Sequence, residues 1–321
     1  MDMIKVSSAE KSFGKVRALD GLDINVPKGS IYGLVGTNGA GKTTIIKSLV
    51  GIQRVDDGQI MIDGQDVYEN ADIKSRVGYV SDDVSFFPGY SLKDMQGYLK
   101  GIYPGWNRER FEALVDDFGL SPKLKLASFS KGMQKQAALI LALSTMPDVL
   151  ILDEPIDGLD PVVRLKAWKH IINDVTERDT TVLVSSHNLR EMEGYCDYIG
   201  IISNGHMVIE RDLEDLKTDV HKVQVAFREG SEGSGDPEVL RGSEGSGDPE
   251  NHETPAFEGL EILHREKRGS VHLLIIRDKR EKIEAVIRGM QPAVFDMLPL
   301  SLEEIFIYEL GGVSDEINEI I

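Results

Sequence analysis

The chain has 321 residues, a formal net charge of −18 at pH 7 and one cysteine, Cys196. That length fits one large domain plus a smaller one, and a lone cysteine forms no intrachain disulfide, so nothing points to an oxidising compartment. The acidity argues against binding nucleic acid through its backbone and against direct adhesion to an anionic membrane surface. The longest apolar runs, "AALILAL" (137–143) and "VHLLII" (271–276), fall far short of the roughly 20 residues that span a bilayer, and "MDMIKVSSAEKSFG" has no apolar export core. The expectation is a soluble cytosolic chain that meets a membrane only through a protein partner.

Residues 1–217 read as one α/β unit. "IYGLV" (31–35) predicts a buried strand that runs into "GTNGAGKT" (36–43), and a helical run, "TTIIKSLV", follows. The loop fits G-x-x-x-x-G-K-[ST] in its required strand–loop–helix setting. Gly36, Gly39 and Gly41 let the backbone wrap phosphate oxygens, Lys42 neutralises the β and γ phosphates, and the Thr43 hydroxyl suits Mg²⁺. An incidental Gly-rich turn would not explain all three parts. "RVGYV" (76–80) is a further strand. In the helical stretch of about 85–130, Phe111, Leu114, Val115 and Phe118 share one face, and Gly119 supplies a stop. "SFSKGMQKQ" (128–136) opens another helix. Ser130 caps it and Gly132 leaves bare backbone just inside, which makes a second anion-binding helix start.

"VLILDEP" (149–155) predicts a strand that delivers Asp153 and Glu154 to its C-terminal end, where ligands bind in such sheets. Asp153 suits Mg²⁺, directly or through water, and Glu154 can face an attacking water as general base. Two acids at a strand end would alone be a solvated loop, but beside a phosphate loop they are a site. Leu165, Trp168, Ile171, Ile172 and Val175 predict a helical face, "TVLVSS" (181–186) a strand, and "IISNGHMVI" (201–209) a hairpin turning at Asn204-Gly205. The short, continuous β-rich runs suit a mostly parallel sheet.

A second, small α+β domain is expected over 218–310, followed by a tail, 311–321. Its elements are a strand "KVQVAF" (222–227), two strands around a Lys-Arg-Gly-Ser turn, a helix marked by Ile283, Val286, Ile287 and Met290, a strand "AVFDML", and a helix capped by Ser301 with Glu304. An insert over 228–256 interrupts it. "GSEGSGDPE" occurs there twice (230–238 and 242–250) and has almost nothing to bury, so it reads as a disordered acidic loop, most simply a duplicated surface insert. Its spacing does not match an EF-hand.

With these motifs in order, residues 1–217 resemble the nucleotide-binding subunit of an ATP-binding cassette (ABC) transporter. "GTNGAGKTT" corresponds to its Walker A, "VLILDEP" to Walker B, "FSKGMQ" (129–134) to the signature, "IDGLDP" (156–161) to the D-loop and "SSH" (185–187) to the switch. The resemblance implies a P-loop NTPase fold with a helical subdomain, ATP and Mg²⁺ as cofactors, and a head-to-tail dimer in which each ATP lies between one cradle and the partner's signature. Two phosphate-binding helix starts in one chain are what such a composite site requires. The partners implied are a second ATPase subunit, as homo- or heterodimer, and integral membrane permease subunits, with no nucleic acid. The place implied is the inner face of the membrane, reached through the permease.

Site roles carry over by position. Gly36, Thr37, Asn38, Gly39, Ala40, Gly41, Lys42, Thr43 and Thr44 form the nucleotide cradle, and Phe13 matches an adenine-stacking aromatic, with a buried strand aromatic as the alternative. Thr43, Asp153 and Asp82 are the metal candidates. Glu154, His187 and Lys42 are the catalytic ones, His187 positioning the water. Ser130, Gly132 and Gln134 match signature contacts, and Asp160 matches the D-loop acid. The chain departs from the family at Asp82, where Gln is usual: Asp is shorter, charged, and repelled by phosphate unless Mg²⁺ intervenes. Thr37, Phe129, Lys131 and Met133 depart without removing a catalytic group. The "SKGM" signature and the C-terminal appendage resemble bacterial ABC-2 exporters, with a groove near Asp82 as docking surface. The rivals are a soluble ABC ATPase and a nucleotide-gated module without turnover.

Overall fold

The computed structural model describes residues 1–227, 257 and 259–309. The chain divides into two compact units, one spanning Met1–Leu213 and the other starting at Glu214. The expected insert, 228–256, and the expected tail, 311–321, lie outside the described residues.

The first unit is built on a six-stranded sheet in the order His206–Asp212, Tyr198–Ser203, Ile31–Val35, Thr181–Ser186, Val149–Asp153, Val77–Val80. All neighbours are parallel except the first two, an antiparallel hairpin whose turn, Asn204-Gly205, has positive φ at both residues (47° and 80°). The three central strands, Ile31–Val35, Thr181–Ser186 and Val149–Asp153, are buried at every position, as expected where helices cover both faces. The register pairs Val35 with Ser186 and Asp153 with Ser185. Three adjacent strands therefore end together, and the loops after them form one crevice.

A second sheet, antiparallel, runs Val16–Pro27, Asp2–Phe13, Asp57–Ile62, Gln65–Asp66. Sequence periodicity does not reveal it. Its first strand carries register shifts, with Ser8 at φ 47°, and these break the alternation of inward and outward residues. The helix Lys42–Leu49 buries Ile45, Ile46 and Leu49 in a core shared with Ile4, Leu19, Ile24, Leu34 and Ile151 from both sheets. The helix that follows the phosphate loop is thus anchored on both sides.

The helix Arg108–Phe118 buries Phe111, Leu114, Val115 and Phe118 and ends at Gly119 with φ 69°, as the pattern predicts. The helix Pro161–Arg178 differs. Its buried face is Ala167, Trp168, Ile171 and Asp174, while Leu165 is 63% exposed. Asp174 is ion-paired to Arg110 and Arg178, so a buried acid, invisible to an apolar count, rotates the face. Burial outweighs those partners and holds its carboxyl above the usual range. Some aromatics of 85–130 lie on the surface. Phe87, Tyr90 and Tyr98 are exposed and pack on one another, with Phe87 at 5.0 Å from Tyr98 and 5.2 Å from Tyr90.

The second unit has a four-stranded antiparallel sheet in the order Glu261–Arg268, Val271–Arg277, Val220–Ala226, Val294–Leu298. The helix Arg280–Gly289 buries Ile283 and Ile287 against Val223, Val225, Leu274 and Ile276. Ser301 and Glu304 form the expected reciprocal cap: the Ser301 N–H donates to Glu304 Oε2 (3.1 Å) and the Glu304 N–H to Ser301 Oγ (3.3 Å).

Candidate active site

The loop after Ile31–Val35 closes on itself through backbone geometry. Gly41 has φ 112°, and a Cβ there would lie 2.6 Å from the Ala18 carbonyl; one on Gly36 would lie 2.4 Å from the Ile202 carbonyl. No larger residue fits either place. Gly41 precedes the helix without any side-chain cap, so the first amide N–H groups and the positive end of the dipole face outward. Asn38 and Gly39 are exposed, Thr37 is half-buried and Ala40 is buried at 3%. Thr43 is exposed in the first turn and Thr44 half-buried.

Lys42 is buried, and its ammonium donates to the carbonyls of Gly36 (2.6 Å) and Thr37 (3.1 Å). It also lies 3.6 Å from Glu154 Oε1. The other carboxylate oxygen of Glu154 is 3.0 Å from His187 Nδ1. Lys42, Glu154 and His187, from three strand ends, thus converge on one carboxylate. Asp153 is 1% exposed and accepts a 2.7 Å hydrogen bond from the Ser185 hydroxyl, and Ser185 Oγ in turn accepts from the Glu154 N–H at 3.1 Å. Ser185, which the motif reading left without a role, therefore ties both acids to the next strand.

Glu154 has φ 47°, the left-handed region. For a non-glycine residue this costs on the order of 1–3 kcal/mol and persists only where the surroundings impose it. Next to it, Asp82 pairs with Lys135 at 3.0 Å, and the Ser81 hydroxyl donates to the Asp83 backbone carbonyl. Burial, then the negative charges of Asp153 and Asp82, pushes the Tyr79 hydroxyl up to about 12. It stays neutral beside the acids.

The Thr43 hydroxyl and the Asp153 carboxylate fit Mg²⁺, which takes one or two protein oxygens and completes its shell with phosphate oxygens and water. Among the described residues no group of three or more His, Cys, Asp or Glu could hold a metal.

The second helix start is arranged otherwise. Ser130 caps the helix Lys131–Ser144 by accepting from the Met133 N–H at 3.2 Å. A Cβ on Gly132 would lie 3.3 Å from the Gly158 carbonyl, so the helix start abuts the "IDGLDP" loop. In that loop Asp160 caps the helix Pro161–Arg178, accepting from the N–H groups of Val162 and Val163 at 3.1 Å. Gln134 is half-buried in the first turn, and its carboxamide donates to the Leu126 carbonyl (3.1 Å). Phe13 ends its strand 51% exposed, with the Lys11 ammonium 5.8 Å from the ring, so it is not a buried strand aromatic.

The family model described as ABC transporter matches residues 19–157. The chain is 29% identical over 310 residues to the ABC transporter ATP-binding protein YtrB of Bacillus subtilis (strain 168), covering 97% of this chain and 99% of that one. It is 34% identical over 222 residues to the bacitracin transport ATP-binding protein BcrA of Bacillus licheniformis, covering 67% of this chain and 71% of that one. A solved ATP-binding subunit of an ABC transporter superposes with a TM-score of 0.62 at 25% identity, over 67% of this chain and 92% of that chain.

Proposed function

The chain is an ABC ATPase, a member of the ABC transporter ATP-binding family, and from that premise we propose that two such cassettes close head to tail on ATP and drive a membrane exporter. The convergence of Lys42 and His187 on the Glu154 carboxylate carries the proposal. The glycines and N–H groups of residues 36–44 cradle the β and γ phosphates, and Lys42 turns from the loop carbonyls to them. Phe13, exposed and cation-flanked, stacks on adenine. Thr43 and Asp153 would hold Mg²⁺, which supplies charge neutralisation at the phosphates. Glu154 takes the proton of the attacking water, and His187 holds that water in line. The N–H groups behind Ser130 and Gly132 cap the γ-phosphate of the partner chain, and Asp160 lies at the same junction.

The closed dimer gains contacts with ATP that the open one lacks, and this difference drives closure. The exporter reading is supported by the BcrA relative, whose name gives bacitracin transport, and by the second unit, since YtrB matches along its whole length. Among the described residues no helix is long and apolar enough to cross a membrane, so the permease subunits are separate chains in this reading. A cleft of about 240 Å³ lined by Tyr79, Phe86, Met95 and Tyr103, beside Ser81, supports a docking surface for them, which in this reading sets the chain on the inner face of the membrane.

Glu154→Gln tests the reading. Phosphate release should fall by about 10²–10⁴-fold while ATP still holds dimers visible by light scattering. Turnover at the wild-type rate would remove Glu154 as the base.

A further inference from the structure

Lys135 lies one turn inside the signature helix and is 8% exposed. Its ammonium makes two contacts, both at the site: it lies 3.0 Å from Asp82 Oδ1, and it donates to the backbone carbonyl of Glu154 at 2.8 Å. No motif assigns it a role. Glu154 is the residue whose backbone is strained at φ 47°, and its N–H is already held by Ser185 Oγ at 3.1 Å. Ser185 and Lys135 therefore grip the two polar ends of one residue. With both ends fixed, the side chain projects to Lys42 and His187.

We propose that Lys135 is a positioning residue for Glu154, and that Asp82 acts through Lys135 rather than as a ligand of metal or phosphate. This rests on the reading of Glu154 as general base. The charge logic fits. A carboxylate facing phosphates is repelled, whereas one paired to a buried ammonium is neutralised and steers that ammonium. A buried ammonium needs partners for its donors, and Asp82 and the Glu154 carbonyl supply them. Asp82 has 55% of its side chain exposed, so the pair adds little to overall stability. Its consequence is local: it sets where the carboxylate points. It also ties the signature helix of one chain to that same chain's own base, a link separate from the signature's capping of the partner's nucleotide.

The test compares Lys135→Met, Asp82→Asn and the double variant in the full chain, reading kcat, KM for ATP and melting temperature, with Glu154→Gln in parallel. The proposal expects Lys135→Met to lower kcat by about 10²-fold, as misplacement by an ångström does, with KM and melting temperature near wild type. Asp82→Asn should lower kcat less, and should add nothing on top of Lys135→Met. Lys135→Arg, which keeps the charge, should recover part of the loss. Wild-type kcat in Lys135→Met, or losses that multiply in the double variant, would overturn the proposal. Should Lys135→Met fail to fold, Asp82→Asn decides alone, because it sits at an exposed position: wild-type kcat there overturns the role of Asp82. If Glu154→Gln itself turns over normally, the base assignment fails first, and that outcome is distinct from a dead Glu154→Gln beside an unaffected Lys135→Met.

Discussion

The two helix starts assigned to phosphate in the proposed dimer are built by opposite means. The helix Lys42–Leu49 begins at Gly41 in the left-handed region with no side-chain cap, so its amide N–H groups are left to a ligand. The helix Lys131–Ser144 begins at Ser130, which satisfies the Met133 N–H from within the chain. The first is a cradle that depends on its nucleotide. The second has a capping hydrogen bond of its own, which suits the proposed role of a surface that meets a nucleotide held by another chain. Its register is also fixed from behind, since Gly132 abuts Gly158 and Lys135 reaches Glu154.

The largest effect that would sharpen this contrast is at the cradle. Gly41→Ala places a Cβ 2.6 Å from the Ala18 carbonyl at φ 112°. ATP binding followed by calorimetry should be lost or weakened by at least about tenfold, and the thermal shift that ATP gives wild type should shrink with it. Normal affinity would mean the loop is not the phosphate site. A smaller effect is expected at Ser130→Ala, which removes a cap worth about 1 kcal/mol. Its melting temperature should drop by a few degrees, and KM for ATP should stay near wild type while turnover of the dimer falls. The smallest change in stability is expected at Gly132→Ala. Alanine favours the helix by roughly 0.5–1 kcal/mol over glycine, but its Cβ meets the Gly158 carbonyl at 3.3 Å. These effects offset in denaturant unfolding, while the crowded junction should still slow turnover.

What the sequence discloses follows from how local each constraint is. The cradle is legible because a backbone wrapped on phosphate demands glycines, Lys42 and Thr43 at fixed spacing in one short stretch. Asp153 and Glu154 are legible for a related reason: one strand delivers both. Lys135 and Ser185 are not, because their partners lie far along the chain. Lys135 is 53 residues from Asp82 and 19 from Glu154, and Ser185 is 32 from Asp153, separations that no motif spells out. The antiparallel sheet is hidden for a different reason, since bulges in Asp2–Phe13 erase its period of two. Leu165 misleads because the buried face of its helix is organised by the charge of Asp174, not by apolar residues alone. The Gln134 side chain likewise reaches back to the Leu126 carbonyl, eight residues away, a contact no motif letter encodes.

The claim that each catalytic site is shared between two chains is tested most directly by mixing two inactive variants, Lys42→Ala and Ser130→Arg, and measuring phosphate release. One damages only the cradle and the other only the opposing helix start. In a mixed dimer one site collects both lesions and the other keeps an intact cradle facing an intact helix start. The account predicts that neither variant turns over alone and that the mixture regains activity. A mixture as inactive as its components, beside an active wild type, would contradict the composite site.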